Sequence, residues 1–359
     1  MIHSMPSNTL NDYPTIQLAA PNTPLHLLGR FTQAFTGAER ELLDIQRLIG
    51  NRRAVKLWSD MPLHPSYAGQ GVTTIQPFAK QFPNGGTLLI AGVHLQPGIW
   101  LKYARFDRII LFYNLANHGQ LFASIEAVRD ATGRDPELVF VSHMLQQSVG
   151  LPGTVIRSLM DITPFLAVAG KRFQSQPKLG ALTIGRISRD SLDKHHPDDV
   201  ALYRQLASRG FKVRIMGGTC LTSGLGQIAG VELLPAGVQG AADFYASLDI
   251  FFYRTGTSTE AYGRVVIEAM AAGLPVVAHA RGGYAEVIEH NVSGVLIDSQ
   301  EQAYDSLMRI GESADSRRKL GQHGLAVAER LHGQAATCRD IDFYLNHRPL
   351  ETFETPLHR

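Results

Sequence analysis

Short apolar runs alternate with amphipathic stretches along most of this chain, and the alternation runs through twice. The first series is LHLLG (25–29), AVKLW (54–58), TLLIAGVH (87–94), RIILFYN (108–114) and ELVFVS (137–142). Between the first two runs lies GAERELLDIQRLIG, whose apolar residues Leu42, Leu43, Ile45, Leu48 and Ile49 recur at helical spacing. Strand, helix, strand in repetition predicts a parallel sheet covered by helices on both faces, because strands buried on both faces are almost continuously apolar. The pattern weakens between Ile162 and Gly180, where TPFLAVAGKRFQSQPKLG mixes Pro, Gly and basic residues, and the linker between two domains is placed there. The rhythm then restarts with ALTIGRI (181–187), FKVRIMGG (211–218), VELLP (231–235), DIFFY (249–253), LPVVAHA (274–280) and GVLID (294–298). The helical stretches DDVALYRQLASRG, AADFYASL, RVVIEAMAAG and YAEVIEH sit between these runs. The expectation is an α/β chain of two doubly wound domains facing a central cleft, with ligands met at the carboxyl ends of the strands. Residues 1–24 read as an aperiodic tail, 25–165 as the first domain and 166–335 as the second. Residues 336–359 read as a C-terminal helix and tail packing back on the first domain.

Composition agrees with two such units and narrows the function classes. At about 150 residues per domain, 359 residues suit two domains. With 44% apolar and 18% charged residues, both cores can be filled and a largely disordered chain is excluded. A net charge of +2, from 34 Lys+Arg against 32 Asp+Glu, is too balanced for a dedicated nucleic-acid binder. The basic cluster Arg52, Arg53 and Lys56 flanks a strand and lacks aromatic interleaving, so no nucleic-acid partner is expected. The two cysteines, Cys220 and Cys338, read as reduced thiols. The N-terminus has no signal-peptide pattern, and no run approaches the ~18 apolar residues of a membrane span. A soluble, cytoplasmic protein with at most peripheral membrane contact is expected.

The segment 249–298 carries the chemistry. After the strand DIFFY comes a polar loop with Gly256 and Gly263, then the helix RVVIEAMAAG, ended by Gly273, Leu274 and Pro275. A strand-loop-helix unit presents free helix N–H groups at the strand's carboxyl end, where they favour phosphate. Gly263, without a Cβ, lets the backbone approach such an anion. Glu260 and Glu268 bracket the turn. Glu268 sits among Val265, Val266, Ile267, Ala269 and Met270, where an unpaired carboxylate is costly. Two adjacent hydroxyls, as on a ribose, would satisfy it; an exposed Glu near a helix start is the alternative.

The run from Glu260-Ala-Tyr-Gly-Arg through Glu268 to Gly273-Leu-Pro275 resembles the E-x7-E signature of the retaining glycosyltransferases of family 4, which have the GT-B fold. Gly282-Gly283-Tyr-Ala-Glu286 and the strand after Gly294 resemble that family's following segment. Gly185-Arg186-Ile-Ser-Arg189, with Lys194, is similar to the Gly-Arg…Lys pair that binds the donor diphosphate. Thr36-Gly37-Ala-Glu39 resembles the family's first glycine loop, from which Gly37 is carried over. The stretches 141–143 and 150–165 resemble the run that closes the first domain.

The resemblance implies two Rossmann-like domains and a transfer, with retention, of a sugar from a nucleotide-diphosphate donor of UDP or GDP type. The acceptor it implies is a saccharide or glycolipid of surface-polysaccharide or glycoconjugate synthesis. Catalytic roles fall on Glu260, Arg186 and a histidine of the first domain. His118 is the first choice and His94 and His143 are its rivals. Donor contacts fall on Gly37, Arg186, Arg189, Lys194, Leu234, Tyr262, Gly263, Arg264, Val265 and Glu268. Leaving-group charge is met by Arg186, Lys194 and the 263–265 amides, so no metal and no cofactor are expected. Glu286 either acts near the sugar or caps the next helix. Asp340-Ile-Asp342 reads as a surface or interdomain feature, and Gly224-Leu-Gly226…Gly230 as a glycine-rich loop, not a dinucleotide fingerprint. The competing readings are a GT-B epimerase, phosphorylase or inverting transferase, and a non-catalytic nucleotide-sugar-binding assembly subunit.

Overall fold

The apolar runs become two parallel sheets. In the computed structural model of the protein, residues 23–34, 36–92, 98–176 and 180–346 are described. The first sheet holds β1 (Leu25–Gly29), β2 (Val55–Ser59), β3 (Val72–Thr74), β4 (Thr87–Ala91), β5 (Arg108–Tyr113), β6 (Glu137–Phe140) and β7 (Thr154–Val155), in the order β3-β2-β1-β4-β5-β6-β7. The second holds β8 (Thr183–Ile187), β9 (Lys212–Met216), β10 (Val231–Leu234), β11 (Ile250–Tyr253), β12 (Val276–His279) and β13 (Val295–Ile297), in the order β10-β9-β8-β11-β12-β13. Every strand pair is parallel, so each connection is a crossover. The strand order reverses at β1/β4 and at β8/β11, and a crevice at the carboxyl ends of those strands is where such sheets take ligands.

In the first half the helices are α1 (Gly37–Ile49), α2 (Trp100–Tyr103), α3 (His118–Thr132), α4 (His143–Val149) and α5 (Thr163–Gln174). Those that follow are α6 (Asp199–Ser208), α7 (Thr222–Leu225), α8 (Ala241–Ala246), α9 (Arg264–Ala271), α10 (Gln300–Glu312), α11 (Ala314–His332) and α12 (Gln334–Asn346). Leu42, Ile45 and Ile49 of α1 are buried, as the spacing requires. Leu27, Leu28, Leu89, Ile90, Ile110 and Leu111 are at most 1% exposed, which explains the nearly unbroken apolar runs.

The structure differs from these expectations in two stretches and adds short elements in others. The stretch assigned to a linker is mostly helix, α5. Pro164 falls in its first turn, where a missing N–H is harmless, and a Cβ at Gly170 would meet nothing within 4 Å. Arg172 ties α5 to the second sheet's helices, donating to the carbonyls of Ala272, Leu248 and Tyr245 at 3.1, 2.9 and 2.9 Å. YAEVIEH forms only a 3-10 turn over Gly283–Glu286. Strands β3 and β7 are too short to show a period. The single turn α7 (Thr222–Leu225) runs into the glycine-rich loop at 224–230.

Helix α12 lies against α1 and the edge of β5. The Arg108 side chain, 3% exposed, donates to both oxygens of Glu137, gives 2.7 Å to the Phe343 carbonyl and lies 4.5 Å over the Phe343 ring. Arg53 likewise donates to the carbonyls of Thr23 and Leu345. Arg108→Ala therefore removes a charge-assisted tie and is expected to cost about 2 kcal/mol in urea unfolding, with faster proteolysis in α12. Unchanged stability and proteolysis would show that α12 docks by apolar contact alone.

Candidate functional site

The loops after β8 and β11 leave the second sheet at its reversal point, and each delivers one charged side chain to the other. Lys194, from the first loop, donates from Nζ to Glu260 Oε1 at 2.7 Å. The Tyr253 hydroxyl, at the end of β11, donates to the same oxygen at 2.7 Å. Side-chain exposure is 14% for Lys194 and 17% for Glu260, so the pair is shielded yet reachable from the cleft. Burial pushes the Glu260 carboxyl up, but Lys194, Tyr253 and Arg186 outweigh it and hold the group below the usual carboxylate range.

Beneath this pair lies a buried charged cluster. Arg186, on β8, is 0% exposed. Its Nη1 donates to the Arg254 carbonyl at 2.8 Å and its Nη2 to the Lys194 carbonyl at 2.6 Å. Its guanidinium lies 4.8 Å from the centre of the Tyr253 ring. Asp199, the first residue of α6, takes Arg254 Nε at 2.8 Å and stands 3.8 Å from Arg186. Burial pushes the Asp199 carboxyl up to about 6 despite the pull of Arg254 and Arg186.

Across the cleft, α1 and α9 oppose each other in antiparallel fashion. Arg264 pairs with Asp44 and donates at 3.0 Å to both the Ser158 hydroxyl and the Leu159 carbonyl. Arg40 stands 3.9 Å from Glu268, whose other oxygen accepts from the Tyr245 hydroxyl at 3.1 Å. Glu268 is 3% exposed. A second bridge forms at α4. Ser142 caps α4 at Leu145 N–H and donates to the Ala261 carbonyl at 2.7 Å. Glu286 accepts from the backbone N–H groups of His143 and Met144. Of the two readings of Glu286, capping describes its position, and the helix it caps belongs to the other half of the molecule.

The sequence of residues 175–326 matches the family described as Glycosyl transferases group 1. The chain carries a group 1 glycosyltransferase domain. The fold as a whole is that of GT-B glycosyltransferases. Anabaena HepE, solved in complex with UDP and glucose, superposes with a TM-score of 0.68 over 90% of this chain and 99% of that one, at 18% identity. Two curated relatives match over shorter segments. The D-inositol 3-phosphate glycosyltransferase of Thermobispora bispora is 31% identical over 112 residues, 31% of this chain and 26% of that protein. Spore coat protein SA of Bacillus subtilis is 39% identical over 77 residues, 21% of this chain and 20% of that protein. The chain thus spans about a quarter or less of these relatives' lengths.

Within the glycosyltransferase domain, some residues expected at a donor stand elsewhere. Arg186 does not face the cleft; its terminal nitrogens are spent on the carbonyls of two loops. Tyr262 is 5% exposed and its hydroxyl is bonded to His332 of α11. Arg264 points into the first domain. Arg189 pairs with Asp193 at 3.6 Å and is 44% exposed. Gly263 has φ +81°, and a Cβ there would come 2.3 Å from the Tyr284 ring, so this position needs glycine to start α9. Val265 is half-buried and its carbonyl accepts from Tyr245. Leu234, at the end of edge strand β10, accepts from the amides of Gly217 and Gly218 at 2.8 and 3.2 Å. It lies two strands from β8, roughly 10 Å across the sheet.

In the first domain, Gly37 opens α1, on the side that faces α9. His118 is exposed at the start of α3, 3.1 Å from the Ser148 hydroxyl. The cross-domain bond is made at His143 instead, through its backbone. His94 lies outside the described residues. Asp340 and Asp342 lie on α12. The residues that sequence reasoning missed are Tyr253, Arg254 and Asp199 in one domain and Glu41 and Asp44 in the other. Arg254, a charge directly after an apolar strand, is the one legible signal; nothing in HHPDDV says that Asp199 reaches it.

Glu41 carries a pH dependence. It is 2% exposed, accepts from Leu159 N–H at 3.0 Å and lies near Arg264. Burial pushes its carboxyl up to about 7 against the pull of Arg264, Asn114, Ser158 and the Leu159 amide. A raised folded-state pKa means the folded protein holds the proton longer. The associated stability is therefore full below about 4.5 and is lost as pH rises to about 7. Melting temperature should fall over that window, and Glu41→Gln should flatten the fall. An equal fall in the variant would place the dependence elsewhere.

Proposed function

We propose that the chain is a retaining glycosyltransferase that moves a sugar from a nucleotide-diphosphate donor to a saccharide or glycolipid acceptor. The observation that carries this reading is the Lys194–Glu260 pair, set at the β8/β11 reversal of a group 1 glycosyltransferase domain, beside the start of α9. Lys194 supplies a cation to the diphosphate that departs, and the first amides of α9 add hydrogen-bond donors. Arg189 needs only to leave an exposed i,i+4 partner to join them. In this reading the leaving group is stabilised without a metal. Glu260 faces the donor sugar and the charge that develops on its ring. Glu268 accepts from the ribose hydroxyls through the oxygen that Arg40 approaches at 3.9 Å. The base lies toward Leu234, and the donor is of UDP or GDP type.

The first domain shapes the acceptor site, and among His118 and His143 the latter stands at the seam. Among the described residues no helix is long and apolar enough to cross a membrane. We place the activity in the cytoplasm, in surface-polysaccharide or glycoconjugate synthesis.

A thermal-shift series with UDP, GDP and their sugars tests the core of this. One nucleotide class should raise the melting temperature. With that donor, Lys194→Ala should lower kcat/KM about 100-fold, and Glu260→Gln should lower kcat by a similar factor. The product's anomeric proton should keep the donor's configuration by NMR. No stabilisation by any nucleotide, or an inverted product, defeats the proposal.

A further inference from the structure

The carboxylate of Glu260 is held by two donors, and both are referenced to one buried group. Lys194 Nζ and the Tyr253 hydroxyl each stand 2.7 Å from Oε1, and among the described residues Oε2 accepts no hydrogen bond. Arg186 grips the carbonyl of Lys194 and packs on the ring of Tyr253. The ring is closed in on its other sides. Phe251 stacks on it at 6.0 Å with planes 9° apart, and Tyr284 meets it edge-on at 5.9 Å. Tyr253 is 2% exposed. Arg186 in turn is fixed by the Arg254 carbonyl and by Asp199, which also binds Arg254. A core aromatic needs no hydroxyl here, since phenylalanine would pack equally well. A hydroxyl on a ring this constrained can do one thing, which is to fix its acceptor.

From this geometry we infer that Tyr253 is a positioning residue for the proposed transfer: clamped against Arg186, it orients the Glu260 carboxylate so that Oε2 is left free for the donor sugar. The inference rests on the reading of Glu260 given above. Lys194 alone could not set that orientation, because an ammonium on a flexible stem pairs with a carboxylate from many directions. The planar phenol, with its rotation blocked, imposes a single one. The groups that face Glu260 are Lys194 and Arg186 from β8 and its loop, Tyr253 from β11 and Tyr284 from the 3-10 turn. Of these, only the two tyrosines can be changed without altering charge or ring packing, and Tyr253 is the one whose hydroxyl bonds Glu260.

The test is Tyr253→Phe, studied beside wild type and Glu260→Gln with the donor that stabilises the protein. The variant should melt within a few degrees of wild type. Its kcat should fall about tenfold with donor KM within about twofold. The acid limb of its pH–kcat profile should move to higher pH, because Glu260 has lost a donor that favours its ionised form. A wild-type enzyme that turns over and a dead Glu260→Gln, with kcat and acid limb unmoved in Tyr253→Phe, overturn this inference alone. A raised KM at unchanged kcat also overturns it, since it assigns the tyrosine to ground-state binding. A wild type that processes no nucleotide sugar overturns the functional reading and the inference with it.

Discussion

Two arginines and an aspartate taken out of water together set the geometry on which the site depends. Arg186, Arg254 and Asp199 are each at most 2% exposed. None could be buried alone, because an unpaired charge in the interior costs several kcal/mol even after relaxation. Together they neutralise in part and spend donors on backbone carbonyls, and those carbonyls belong to the two loops that carry Lys194 and Glu260. The cluster's remaining charge also matters. Within the cluster and the pair above it, three cations (Arg186, Arg254, Lys194) stand against two anions (Asp199, Glu260), an excess of one positive charge among these five groups. A whole-chain charge of +2 conceals it. A low-dielectric wall makes that excess count for more than the same charges on the surface.

The seam between the domains is built from the same helix that borders the site. Helix α9 starts at Arg264, which is committed to Asp44, Ser158 and Leu159 of the first domain. Glu268, one turn on, faces Arg40. Any change in the angle between the sheets therefore acts on α9, and through Gly263 on the loop that holds Glu260. At the other bridge, Ser142 takes the carbonyl of Ala261, the residue after Glu260. Site and seam are thus consecutive in sequence.

Most of the fold was legible because burial on both faces writes each central strand as a continuous apolar run. Edge strands β3 and β7 escaped because two or three residues carry no period. Helix α5 escaped because Pro164 and Gly170 read as breakers until their positions in the helix are known. In the candidate site, Glu260 and Glu268 stand out in sequence because carboxylates are conspicuous after an apolar strand and in an apolar helix, and Lys194 is read from the family resemblance. Arg186 was expected at the donor, and its terminal nitrogens are bonded to the carbonyls of Arg254 and Lys194. Its place at a strand end was right, but sequence does not say whether a strand-end arginine points to solvent or inward to carbonyls. Asp199 and Tyr253 were invisible because their bonds depend on how the loops fold: the partner lies 55 residues away in one case and seven residues on, around the loop after β11, in the other.

One stretch specifies the position of Glu260 three times over. Its side chain is fixed through Oε1 by Lys194 and Tyr253. Its own carbonyl accepts from Gly283 N–H at 2.9 Å. The next carbonyl, of Ala261, would lie 2.1 Å from a Cβ at Gly283, so only glycine lets the two loops meet. These constraints bind residues 253–263 to 282–286, within the segment that matches the family. The first domain has a backbone fit of its own at Gly86, where a Cβ would lie 2.1 Å from the Pro24 carbonyl, but it stands just before the start of β4 and not at the seam. Its contribution to the seam combines side chains (Arg40, Asp44, Ser142 and Ser158) with backbone groups of His143, Met144 and Leu159. The two site loops thus meet through a backbone-to-backbone fit, whereas each seam bond named above has a side chain on at least one side.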